Sequence, residues 1–287
     1  MSDFLEKREL GQTGLLASRL GIGSSFGVSA RVLEEAFERG INYLYWGSIR
    51  RREFGKAMRH LAKRHRDELI LTVQSYSRSP ALMVPSVEVA LRRAGLEYFD
   101  FLLLGARSDV PAEAYVEVFE RLRDKGKVRF LSMSTHNRPL LAQMFDAYGE
   151  GRSAYELFMV RYNAVHRGAE TDVFPFLPAA QSAPGMVAYT ATRWGHLLEP
   201  KKMPPNEEPL AARDCYRFAL SNPAVDLVLC GPANAAQMSE AIAALDAGPL
   251  TAEERERIER IGDFVYGNYR PQFPDQGDAE QARSNQA

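Results

Sequence analysis

Eight times along this chain a short, almost wholly apolar run is followed by a segment whose apolar residues recur at helical spacing. The runs fall at 20–23, 41–45, 69–73, 99–104, 128–133, 157–160, 186–189 and 225–229. Helical spacing follows at 30–39, 54–62, around 87–91, 112–125, 140–148, 172–180, 210–220 and 235–245, with a last helix at 252–265. Gly40 and Gly126 stand where two of these helices should stop, while Pro175 and Pro178 interrupt another. Strands that are apolar on both faces belong in a parallel sheet covered by helices. Eight such units in 287 residues argue closure into a (β/α)8 barrel. An open doubly wound sheet is the alternative, but no Gly-x-Gly-x-x-Gly opens an early helix. Ahead of the first unit, residues 8–10 and 15–17 flank the turn 11–14 and read as a β-hairpin.

Bulk properties narrow the function classes. Hydrophobic residues make up 45% and charged residues 25%, and the net charge is −1, so no general attraction to nucleic acid or anionic membrane is expected. No run of eighteen apolar residues occurs, and the charged start Met1-Ser2-Asp3-Phe4-Leu5-Glu6 does not read as a signal peptide. Cys215 and Cys230 give no disulfide framework, which fits a reducing, cytoplasmic setting. The expected organisation is one barrel over 1–266 and a mobile tail over 267–287, rich in Gln, Asp, Pro and Ser. A small-molecule ligand is the expected partner, a protein partner remains an alternative, and the oligomeric state is open.

Five segments resemble one family in order and spacing. Arg8-Glu9-Leu10-Gly11-Gln12-Thr13-Gly14-Leu15 is similar to the opening hairpin of bacterial aldo-keto reductases, and Leu20-Gly21-Ile22-Gly23 to their first barrel strand. Gly126-Lys127-Val128-Arg129 leading to Ser134 resembles their fifth strand, and Arg161-Tyr162-Asn163 their Gln-Tyr-Asn segment. The stretch from Ala219 to Val225, with Gly231 and Gln237, resembles their last strand and nucleotide loop. The resemblance implies an aldo-keto-reductase-type barrel that transfers hydride between NADPH and a carbonyl compound. In that family a tyrosine is the acid, helped by a lysine, a histidine and an aspartate.

Carried over residue by residue, that catalytic set is replaced. Tyr45 falls at the aspartate slot. The tyrosine slot is Arg50 counting forward, or Ser48 counting back from the helix containing Gly55, and no tyrosine follows within fifty positions except Tyr76. Gln74 takes the lysine slot and Gly105 the histidine slot. Tyr45 then reads either as filler for the space left at Gly105 or as a relocated proton donor, with its hydroxyl near Gln74. His136 is the first candidate to replace the lost histidine. The cofactor frame is better kept. The resemblance assigns nicotinamide contacts to Gly23, Ser24, Ser134, Arg161 and Tyr189, a phosphate-side hydroxyl to Thr190, and adenine-side contacts to Gly231, Gln237 and Glu240. Ala233 stands where the family often carries an arginine for the 2′-phosphate, and Arg161 replaces a glutamine. NADP(H) is favoured, with NAD(H) or no cofactor as alternatives.

Other clusters carry weaker expectations. Arg50, Arg51, Arg52, Arg78, Arg107, Arg161, Arg167 and Arg193 all lie at or beyond strand ends. Most read as solvated loop charge, but Arg161 should point toward the barrel top and needs an anion, such as Glu170 or a substrate carboxylate or phosphate. His136, His166 and His196 follow successive strands, a weak metal signal without an acidic second shell, so no metal site is assigned. Trp46 and Trp194 read as a substrate wall or as packing. The leading expectation is a divergent oxidoreductase for a small, anionic carbonyl compound. The alternatives are a non-catalytic nucleotide or partner binder, and a barrel with non-redox chemistry.

Overall fold

The computed structural model describes residues 3–75, 77, 79–179 and 182–269. Tyr76, Arg78 and most of the expected tail, 270–287, lie outside the described residues. Strands β1 (Arg8–Glu9) and β2 (Leu16–Ala17) form the antiparallel hairpin, and β3 (Leu20–Gly23) begins the barrel. Then alternate α1 (Ala30–Glu38), β4 (Tyr43–Trp46), α2 (Arg52–His65), β5 (Ile70–Ser75), α3 (Met83–Ala94), β6 (Phe99–Arg107), α4 (Glu113–Asp124) and β7 (Val128–Thr135). The second half runs α5 (Arg138–Gly149), β8 (Tyr155–Arg161), α6 (Ala169–Asp172), β9 (Gly185–Tyr189), α7 (Ala212–Leu220), β10 (Leu227–Cys230), α8 (Ala235–Ala247) and α9 (Ala252–Asn268). The strands close in the order β10-β3-β4-β5-β6-β7-β8-β9, with parallel pairing all round. The expected (β/α)8 barrel with an N-terminal hairpin is therefore the fold, and the open sheet is excluded.

Two layers of apolar side chains hold it. Outward strand residues such as Leu44, Leu102, Phe158 and Val228 pack under the helices in the larger core. Inward residues Tyr43, Ile70, Phe101, Leu103, Leu157, Met159, Val187, Leu227 and Leu229 fill the barrel, joined from below by Leu10 and Ala17 of the hairpin. The period-two alternation of a strand produces both layers from one apolar run. Gly11 shows how closely the hairpin seats: a β-carbon there would stand 2.8 Å from the Glu156 carbonyl and 2.9 Å from the Gly185 amide, at the starts of β8 and β9. Its φ of +59° also suits glycine.

The segment expected as a helix at 172–180 differs most. Helix α6 ends at Asp172, and a 3-10 turn, Phe174–Phe176, follows; Ala180 lies outside the described residues. Pro175 and Pro178 remove the amide donors that a continuing helix would need. No helix among the described residues is long and apolar enough to cross a membrane.

Candidate active site

Strand parity decides what reaches the barrel mouth. Along β4 the inward positions are Tyr43 and Tyr45, along β5 Ile70, Thr72 and Gln74, and along β6 Phe101, Leu103 and Gly105. Register sets Gly23 beside Tyr45 and Arg161 beside Tyr189. The residues expected at the strand ends thus meet at one end of the barrel. A cavity of about 550 Å³ opens there, within the size range of small-molecule sites. Its wall includes Gly23, Tyr45, Gln74, Ser134, His136, Tyr189, Thr190, Gly231, Gln237 and Glu240.

The deep end of the cavity holds the altered residues. The Tyr45 hydroxyl donates to Gln74 Oε1 in a very close contact. The Tyr45 ring lies against Gly23 and Gly47; a β-carbon on residue 47 would be 3.1 Å from the ring and hydroxyl. The space beside Gly105 is filled not by the Tyr45 ring, as the sequence suggested, but by the carboxamide of Gln74, which a β-carbon at 105 would strike. Beyond Gly105, Ala106 takes φ +51°, and its amide donates to Ser134 Oγ at 3.0 Å. His136 meets the Tyr189 ring edge-on at 5.9 Å.

The other end is built from the β10–α8 loop and the start of α7. Asn234 caps α8 by accepting from the Gln237 amide at 3.0 Å, and Gln237 Oε1 accepts from the Ala233 amide at 2.7 Å. Glu240 reaches across to accept from the Ala212 amide, the first of α7, at 2.7 Å. Between the two ends run Thr190 to Gly195, where Thr190, Arg193 and Trp194 all have positive φ. The Thr190 hydroxyl is turned onto the Tyr189 carbonyl at 2.7 Å.

Two expected cofactor residues are not part of this wall. Ser24 is buried, and its amide donates to the Tyr45 carbonyl at 3.0 Å, tying β3 to β4. Arg161 has inward parity, yet its side chain is only 2% exposed and lies outside the wall. Glu170, the carboxylate proposed to pair with it, instead accepts from Tyr162 and from Arg255. A second buried guanidinium, Arg193, lies in the loop after β9. Burial, and then the Arg161 charge, lower the Arg193 guanidinium from its ordinary value. Arg193 donates to the Tyr269 carbonyl and lies 3.0 Å from His196 Nδ1.

The remaining clusters disperse. His136 faces the cavity, His166 is buried edge-on to Tyr266, and His196 stands beside Arg193. Among the described residues, no three His, Cys, Asp or Glu side chains gather to hold a metal. Trp46 is packing: it is buried against Gly55, with its indole N–H on the Arg51 carbonyl. Trp194 does line the cavity. Arg107 stacks over Tyr115, and Arg167 pairs with Glu259 and Asp263. Sequence reasoning missed Phe26 and Tyr216 in the wall. Phe26 lies over Gly231, where a β-carbon would meet its ring at 2.5 Å. The signal was available, since Ser24-Ser25-Phe26-Gly27 follows a strand's C-terminal end, where barrel sites form.

Comparison with known proteins agrees with this architecture. A solved aldo-keto reductase, AKR11C1 from Bacillus halodurans, superposes in its holo form with a TM-score of 0.73 at 24% identity, covering 90% of this chain and 96% of that one. Its apo form gives 0.70 at 23% identity, with the same coverage. In sequence the chain is 24% identical to an L-galactose dehydrogenase of Arabidopsis thaliana, over 84% of this chain and 88% of that protein. It is 25% identical to the uncharacterized oxidoreductase YqkF of Bacillus subtilis (strain 168), over 87% and 94% respectively. No family model matches. The fold is that of the aldo-keto reductases, and the resemblance read from the hairpin, strand ends and nucleotide loop holds at that level.

Proposed function

We propose that this barrel is an oxidoreductase of aldo-keto-reductase type, binding a nicotinamide dinucleotide and reducing a small carbonyl compound with a rebuilt proton donor. The observation that carries this reading is that one cavity gathers ten of the twelve residues expected from the sequence. The relatives' names support it: one is a dehydrogenase and one an oxidoreductase. The group fits the residues present. The cavity wall includes both the Tyr45–Gln74 pair and Glu240, with Tyr189 and Trp194 as aromatic walls and Ser134 and Gln237 as polar contacts. When bound, the dinucleotide supplies a hydride. Tyr45 then has the protein's part: its hydroxyl gives a proton to the carbonyl oxygen as the carbonyl carbon gains the hydride, leaving an alcohol and a tyrosinate that solvent reprotonates. Gln74 positions that hydroxyl. A phenol of ordinary acidity, ~10, is a poor acid at neutral pH without a neighbouring cation, and a carboxamide provides no charge. Generic aldehydes should therefore turn over slowly.

Titration with reduced nicotinamide nucleotides, followed by tryptophan and nicotinamide fluorescence and then by single turnovers on a carbonyl panel, tests the reading. Binding with turnover supports it. Binding without turnover on any carbonyl converts the protein into a nucleotide-binding sensor or scaffold. Absence of binding removes the nicotinamide altogether and leaves non-redox chemistry.

A further inference from the structure

Between Tyr189 and the 3-10 turn His196–Leu198, the residues Thr190, Arg193 and Trp194 take φ of +58°, +50° and +53°. Residues with a β-carbon disfavour this region, so the surroundings must hold the segment there. Arg193 is placed to do so. Its side chain is buried, while the next residue, Trp194, is exposed and lines the cavity. The guanidinium donates to the carbonyl of Tyr269, at the end of α9, and its Nη1 lies 3.0 Å from His196 Nδ1. The segment is thus fastened both to α9 and to its own 3-10 turn. A guanidinium only donates, so Nδ1 accepts, and the imidazole is neutral with its proton on Nε2. A proton on Nδ1 would remove that bond and set two cations together. Burial, then Lys202, then Arg193 lower His196 from its ordinary value, and Glu199 opposes them. Lys202 is itself paired with Glu199 at 2.9 Å. Arg161, at the end of β8, adds its charge to that acting on Arg193. Helix α9 brings the Tyr269 carbonyl, and the Tyr269 hydroxyl donates to the Lys201 carbonyl. Among the described residues, no charge from α7, which also packs here, acts on His196.

We infer that Arg193 is a positioning residue for this part of the cavity wall, and that its bond to His196 is a proton-sensitive clasp. Neutral His196 keeps Trp194 on the wall, and protonated His196 lets the segment go. Acid would then loosen the wall between the two ends of the cavity without touching the Tyr45–Gln74 pair. The inference goes beyond the nicotinamide reading and is tested without a ligand, so either can fail alone.

The chain has two tryptophans, and of these Trp46 is buried and Trp194 exposed, so acrylamide quenching of their fluorescence reads the wall segment. The test follows quenching from about pH 8 to about pH 4.5, across the histidine range, with far-UV circular dichroism as the check on folding. The wild type should show one proton transition in Trp194 quenching, with a midpoint below about 6.5, while its far-UV signal is kept. His196→Gln offers Arg193 an amide oxygen that accepts at every pH. It should keep the neutral-pH quenching and lose the transition. Arg193→Gly suits the left-handed backbone but has no guanidinium, so it should show the acid-form quenching throughout. A wild type without a transition, or with one that coincides with loss of the far-UV signal, overturns the inference. So does a transition that persists in His196→Gln, or one that disappears in His136→Gln, since His136 faces the same cavity. An Arg193→Gly protein that behaves as the wild type gives the segment's shape to the backbone alone and overturns it as well. If Arg193→Gly does not fold, His196→Gln decides.

Discussion

The carboxamide of Gln74 occupies the space that a side chain at Gly105 would need, and from there it receives the Tyr45 hydroxyl. Three strand ends are thereby coupled: β4 supplies the phenol, β5 the amide and β6 the gap. A packed interior makes such exchanges in sets, because volume gained at one position must be given up at another.

Gly105→Ala should break the set. Its β-carbon meets the Gln74 amide, so Gln74 must leave its place and release Tyr45. We expect a loss of about 1–3 kcal/mol in unfolding free energy, the usual cost of overpacking. In a Gln74→Ala background the same substitution should cost much less, because the obstacle is gone. Equal costs in the two backgrounds, measured by denaturant unfolding, would contradict the packing seen here.

Tyr45→Phe removes only the hydroxyl. Stability should change by about 0.5–1.5 kcal/mol, the value of one hydrogen bond. If Tyr45 donates the proton, single-turnover reduction should slow by about 10²–10⁴-fold while nucleotide binding is kept. Unchanged turnover would assign the proton to His136 or to water, and Tyr45 would be packing alone.

Asp226, just before β10, accepts from the Met186 amide at 2.7 Å, and burial raises its carboxyl to about 6. A folded-state value above the unfolded one means that the native protein holds this proton more tightly. Its stabilising contribution is complete below about pH 4 and is lost as pH rises through about 6, an effect of up to about 3 kcal/mol. Asp226→Asn should remove this dependence. Thermal midpoints of the two proteins between pH 4 and 7 should diverge, and parallel curves would count against the buried carboxyl.

Both thiols should be inert in the folded protein. Cys215 and Cys230 are buried, and burial raises each thiol, Cys230 to about 12. Although Cys230 borders the cavity, almost no thiolate forms at neutral pH. A thiol-reactive chromophore should label neither site in native protein and both in denaturant. Rapid native labelling would mean that the β10 end opens.

The barrel was legible because each strand lies in a largely apolar run and most of the helices have their own period and stop. The coarse site was legible for the same reason, since strand ends converge in any such barrel. What was hidden depended on register and on side-chain reach. Gly105 and Gln74 are far apart in sequence, and nothing in either residue says that one fills the space of the other. Arg161 has the parity of a mouth residue, but its side chain is buried and lies outside the cavity wall. Glu240 read as an adenine contact. Its bond to Ala212 joins α8 to α7, a tertiary contact without a sequence signature.

The hairpin has a kinetic consequence. With Leu10 and Ala17 seated under the filled barrel and Gly11 pressed on β8 and β9, the lower end is closed, so everything that reaches Tyr45 comes and goes through the upper opening. Both reactants of the proposed hydride transfer would therefore have to use the same end of the barrel, a restriction imposed by residues at the far end from the chemistry.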